Sequence, residues 1–247
     1  MRMGKPAPQV LKALLSADSG EAVRQVAMVD AQGRVDVHTG SRAIVAAGHH
    51  KGAHYSVQAN LMDKNTVWPA MAKAYENSKG DLAERMLAAL EAAQNEGGDI
   101  RGKQSAAIVV VSAKNTGKPW VDRLFDLRVE DHPEPVAELR RLISLQRAYR
   151  KLNEGDEWVT EKNIDKAMLA YTEATTLLPD KATNGEAAFW VGITLADTGR
   201  VDAAIPYLAR AFKQDPRWAR LVPRLPAAKL LPDDPKLIKR LVDEMQK

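Results

Sequence analysis

Apolar and polar positions alternate along the first half of this chain in the manner of strands. Val26 and Met28 alternate with polar or small neighbours, and Asp30-Ala31-Gln32-Gly33 supplies a turn before 34–39. Segments 25–30 and 34–39 therefore predict a hairpin. Over 55–62, Tyr55, Val57, Ala59 and Leu61 fall on one face and Ser56, Gln58, Asn60 and Met62 on the other. Ala106–Val111 is continuously apolar, which predicts a strand covered on both faces. Segment 121–129 alternates Leu124, Asp126 and Arg128 against Arg123, Phe125, Leu127 and Val129. Helical spacing appears instead over 65–77 (Val67, Met71, Ala74) and 81–95 (Leu82, Met86, Leu87, Leu90). A short helix is predicted at 10–15, and another begins near Val136, after Asp131-His132-Pro133.

The second half has a period. Gly155, Ala167, Tyr171, Ala174 and Pro179 recur as Gly192, Ala204, Leu208, Ala211 and Pro216, each at an offset of 37. Small residues let two antiparallel helices approach, Tyr or Leu fills their interface, and Pro ends the second helix. Residues 150–216 are therefore expected to form two helical hairpins, followed by a terminal helix at 235–246. The spacing resembles the tetratricopeptide repeat, with three extra residues near 180–184. Such a short array implies either a groove for a protein or peptide partner, or packing within the chain and self-association. A homo-oligomer is expected.

Composition narrows the function classes. The chain has 247 residues with a net charge of +4, divided as +2 in residues 1–145 and +2 in residues 146–247. Charge so evenly spread does not point to nucleic acid. Cysteine is absent, which removes disulfides, thiolate metal sites and a cysteine nucleophile. No apolar run approaches the roughly 18 residues of a membrane helix, and no secretory signal is recognisable at the start. A cytoplasmic location is the default expectation.

Candidate chemistry lies at strand ends. Ser56, Gln58 and Asn60 present amide and hydroxyl groups that suit a small polar substrate or a developing oxyanion. Asp99, Arg101, Gln104 and Ser105 lead into the run at 106–111, and Asp126 and Arg128 share a face of the next strand. His38 and Thr39 close the first hairpin. Against these stands a plainer reading, in which the charges form ion pairs and the polar groups solvate strand faces. His49 and His50 are adjacent and would point to opposite faces of a strand, so they are read as polar loop histidines and no metal or other cofactor is expected.

Residues 97–107 (GGDIRGKQSAA) and 126–142 (DLRVEDHPEPVAELRRL) closely resemble the family known as domain of unknown function 1028. Segments 23–40, 47–52 and 55–62 fit the same family in order, so the resemblance covers about 14–145. It implies a fold like that of the N-terminal-nucleophile hydrolases, with two stacked antiparallel sheets between helical layers. It also brings His38 and Thr39 forward as site residues. A Thr or Ser near the chain start is the implied nucleophile, yet this chain opens Met1-Arg2-Met3-Gly4 with no such residue before Ser16. The opening strands of the family are therefore expected to be missing here, and the nucleophile to lie outside the chain.

The expected architecture is α+β: an N-terminally incomplete αββα-type sandwich over residues 1–145, then an all-α tetratricopeptide-like array over residues 146–247. Two functions follow. One is a hydrolase-like enzyme acting on a small amide substrate. The other is a non-catalytic interaction protein that binds a partner through its helical repeats.

Overall fold

The structure, a computed structural model, describes residues 4–243. It is a mixed α/β chain with small antiparallel sheets and a helical C-terminal region, divided into two compact units at 140/141.

In the first unit, helix α1 (Ala7–Ala17) precedes strands β1 (Gln25–Val29), β2 (Val35–Thr39), β3 (Gly48–Gly52) and β4 (Tyr55–Ala59). Strands β1 and β2 pair antiparallel from Gln25 opposite Thr39 to Val29 opposite Val35. The turn is held by Asp30, whose carboxylate accepts from the backbone of Gln32 and Arg34 and from the Arg34 side chain. It also accepts from the backbone of Ala7, which ties α1 to the hairpin. Burial pushes the Asp30 carboxyl up, and these four hydrogen bonds outweigh it, leaving the group well below the usual carboxylate range.

Strands β3 and β4 form a second antiparallel pair, with His49 opposite Gln58. The strand predicted over 55–62 stops at Ala59. Leu61 takes φ +58 and breaks the alternation, so Asn60 stands beyond the strand rather than on its face. Helices α2 (Val67–Asn77) and α3 (Leu82–Asn95) pack on each other, and Asp81 caps α3 by accepting from the Glu84 backbone at 2.9 Å. Val67, Ala72, Ala83, Leu87 and Ala89 form their buried faces.

Strand β5 (Ala106–Val111) pairs antiparallel with β6 (Arg123–Val129), and the helical turn α4 (Pro119–Asp122) occupies the start of the predicted second strand. Coverage of β5 on both faces does not occur. Ile108 and Val110 are buried, whereas Val109 and Val111 are 50% and 59% exposed. Helix α3 packs on the strand, and a two-stranded sheet with a single helical layer buries one face only.

Helix α5 (Pro135–Thr160) carries the boundary between the units. The second unit continues with α6 (Ile164–Leu177), α7 (Glu186–Asp197), α8 (Val201–Gln214), the short α9 (Arg217–Leu221) and α10 (Pro235–Asp243). Residues 244–246 of the expected terminal helix lie outside the described residues. Helix α7 is apolar around its circumference, as a central helix must be. The repeated positions have matching roles. Ala167, Tyr171 and Ala174 are buried on α6, as are Ala204, Leu208 and Ala211 on α8. A Cβ on Gly155 would lie 2.2 Å from the Tyr171 ring, and one on Gly192 would lie 2.7 Å from Leu208. Each glycine thus admits the large residue of its own pair.

These contacts set an expected result. Ala167→Leu and Ala204→Leu should each overpack a closed contact and destabilise the second unit by about 1–3 kcal/mol. Thermal unfolding checks this; unchanged melting in both variants would contradict the pairing of repeated positions.

Candidate functional site

A cleft of the first unit has a volume of about 900 Å³. It brings together residues from four places in the sequence. Gln58 comes from β4 and Asn60 from just beyond it. Asp99 and Arg101 come from the loop before β5, and Gln104 and Ser105 from the approach to that strand. Met71, Leu90 and Gln94 of helices α2 and α3 supply the opposite wall.

Backbone bonds explain the placement of the Asp99 loop. The Asp63 N–H donates to Gly98 O at 3.0 Å and the Ile100 N–H to Leu61 O at 2.9 Å, so 97–101 runs beside the end of β4. Gly97 and Gly98 take φ +116 and +67, which lets the chain turn back after α3. Further along, the His132 N–H donates to Gln104 O and fixes the approach to β5.

Asp99 and Arg101 form a bidentate ion pair, with Nε–Oδ1 at 2.9 Å and Nη2–Oδ2 at 2.6 Å. The Arg101 N–H also donates to Asp99 Oδ1. The Arg101 side-chain hydrogen bond holds the Asp99 carboxyl below its ordinary value. Lys103 pairs with Glu134 at 2.7 Å. Asp99–Arg101 and Lys103–Glu134 are thus matched pairs, the Asp131 carboxylate lines the cleft as well, and the amides of Gln58, Asn60, Gln94 and Gln104 with the Ser105 hydroxyl supply neutral hydrogen-bonding capacity. Ser56 Oγ donates to Gln58 Oε1 at 3.3 Å, which leaves the Gln58 Nε2 as a donor.

The other predicted residues lie elsewhere. His38 binds the carbonyl of Glu21 at 2.9 Å and its carboxylate at 3.0 Å, so it fastens β2 to the turn at Glu21–Val23. Asp126 pairs with Arg123 at 3.0 Å and Arg128 at 3.5 Å on the exposed face of β6. Neither Asp126 nor Arg128 lines the cleft. Ser56 lines a second, apolar cavity of about 450 Å³.

Thr39 stands behind the cleft and reaches it through Gln25, a residue that strand periodicity did not single out. Gln25 Nε2 donates to Thr39 Oγ1 and to the carbonyls of Gly48 and Ala59 at 3.0–3.2 Å. Its Oε1 accepts from Asn60 Nδ2 at 2.8 Å. One amide thus joins β1, β2, β3 and β4 and orients a cleft residue. Its signal in the sequence was slight: a lone Gln opening an otherwise apolar strand.

His49 and His50, expected in a loop, lie instead on strand β3, where pairing with β4 draws them into the sheet, and their side chains find different partners. His49 Nδ1 meets Thr39 Oγ1 at 2.8 Å, and His50 stacks on Tyr55 with centroids 6.1 Å apart. Among the described residues no three His, Asp or Glu side chains gather in a way that could hold a metal ion. No described helix is long and apolar enough to cross a membrane.

The comparisons with known proteins agree with the segments at the cleft. The model of the family of unknown function DUF1028 matches residues 1–139. The chain belongs to this family. A crystal structure of a DUF1028 protein from Silicibacter pomeroyi is 30% identical, with a TM-score of 0.49. The match covers 57% of this chain and 60% of that one, so the chain spans about three fifths of that relative's length. No curated protein matches. The family itself assigns no reaction, so function rests on the cleft.

Proposed function

We propose that the first unit binds a small polar amide in the cleft between β4, the Asp99 loop and helices α2 and α3. The observation that carries this reading is the convergence of four side-chain amides and a hydroxyl on one cleft in which Asp99 pairs with Arg101, while Lys103 is paired with Glu134. Neutral amide donors and acceptors match a ligand amide on both its C=O and N–H. The Asp99–Arg101 pair fixes the loop that presents Gln104 and Ser105.

The finer reading places this unit in a layered αββα architecture of the N-terminal-nucleophile hydrolase type, acting on the bound amide. The family resemblance supports it. In this reading the cleft residues bind and orient substrate. Ser105, the only hydroxyl side chain lining the cleft, has no hydrogen-bonded His or carboxylate among the described residues and is not assigned as nucleophile.

Binding tests the proposal. Titration of N-acetylglycinamide into the full chain should give saturable binding. Asp99→Ala should weaken it about two- to tenfold, the equivalent of about 0.5–1.5 kcal/mol, without lowering the melting temperature. Binding indifferent to Asp99→Ala and to Gln58→Ala would remove the site.

A second reading concerns the second unit, and the matched pairs Gly155–Tyr171 and Gly192–Leu208 favour it. In it the unit is a tetratricopeptide-like array that serves a protein or peptide partner.

A further inference from the structure

The apolar cavity of the first unit adjoins the polar cleft. Gln58, Met71, Leu90 and Ala107 line both. The two spaces therefore meet at a wall of one amide, one thioether and two aliphatic side chains. Beyond that wall, Met28, Tyr75, Leu82 and Met86 line a volume of about 450 Å³, and no Asp, Glu, Lys or Arg is among its lining residues.

We propose that the ligand of this site is an N-acyl amide, its polar amide bound in the cleft and its acyl chain lying in the adjoining apolar cavity. This rests on the amide-binding reading above and adds the substrate class to it. Three observations argue for a chain rather than a second polar group. The cavity is lined by no carboxylate, lysine or arginine, and its His54 ring is engaged with the Gly33 carbonyl at 2.9 Å. Of its two tyrosines, Tyr55 is already engaged, since its Oη donates to Glu76 at 2.7 Å. Burial and then Glu76 push the Tyr55 hydroxyl up to about 12, so it stays neutral near pH 7. The lining is also rich in methionine, whose unbranched thioethers adapt to chains of different length. The Tyr75 ring, held between Tyr55 at 4.4 Å and Arg85 at 4.1 Å, makes one wall firm.

A series of N-acylglycinamides from acetyl to octanoyl, titrated calorimetrically into the full chain, tests this. Affinity should rise by about fourfold for each methylene that enters the cavity, on the order of a hundredfold from acetyl to hexanoyl. In Leu82→Trp, which places bulk at the cavity rim, the hexanoyl-to-acetyl ratio should fall towards one. Met86→Phe should lower the same ratio and serves if Leu82→Trp does not fold. If acetylglycinamide binds but the ratio is flat in the wild-type protein, the acyl pocket is wrong while the amide site stands. If the ratio is steep and neither variant alters it, the chain lies elsewhere and the proposal fails. If no member of the series binds, the amide-binding reading falls and this inference with it.

Discussion

Tyr171→Ala is expected to destabilise the second unit by about 3–5 kcal/mol, the range for truncating a large aromatic in a packed core. The ring is fully enclosed and lies against Gly155, where no Cβ is tolerated. Its hydroxyl donates to Asp156 at 2.6 Å. Burial and this carboxylate both push the hydroxyl above its ordinary value, so the group stays a neutral donor across the working pH range. Removing the side chain leaves a cavity between α5 and α6 and strips Asp156 of a partner. Tyr171→Phe should cost less, about 0.5–1.5 kcal/mol, because it removes the hydrogen bond alone. Urea unfolding followed by tryptophan fluorescence reads both, since Trp158, Trp190 and Trp218 lie in this unit. An unchanged midpoint for Tyr171→Ala would mean that the helices do not pair through this residue.

Leu87→Ala is expected to cost the first unit about 2–5 kcal/mol. Leu87 is fully buried on α3, whose neighbours Leu90, Ala93 and Gln94 line the cleft. Hydrogen exchange of the α3 amides reports the loss locally, independently of the second unit. Exchange over Leu82–Asn95 should accelerate by the factor that this free energy implies. Acetylglycinamide affinity should fall with it, because the helical wall of the cleft loses its support. Slow exchange with intact binding would show that α3 is held by something other than this core contact.

The binding predictions differ from these in kind. Asp99 is part of an exposed ion pair, and such pairs contribute little to stability. Its removal should therefore change binding and leave folding alone. Leu87 should change both. The two variants together separate a residue that arranges the cleft from one that holds up its wall.

Much of the local structure was legible in the residues because its causes are local. Asp30 and Gly33 specify the first turn. Asp81 specifies the start of α3. Small and large residues at an offset of 37 specify the helix pairs, because a glycine opposite a Tyr or Leu allows close approach whatever surrounds it. Family membership was legible too, in segments that became the loop and strands of the cleft.

Other features depended on partners far away in sequence. Alternation over 55–62 predicted a longer strand, but Leu61 turns in φ and the strand ends where the Asp99 loop crosses it. An apolar run at Ala106–Val111 cannot reveal whether one layer or two will cover it, and Val109 and Val111 are exposed because α3 covers one side. Charge spacing marked Asp99–Arg101 and Asp126–Arg128 alike, yet only the first pair lines the cleft. Gln25 became the junction of four strands through hydrogen-bond partners up to 35 residues away. Periodicity and turn chemistry act over a few residues, and so the sequence by itself marked the first hairpin, the helices of both units and the repeated small and large positions, but not strand β3 or the ends of β4 and β6. Which side chains share a cavity depends on long-range packing, so the tertiary structure alone decided the membership of the cleft and the acyl-sized space beside it.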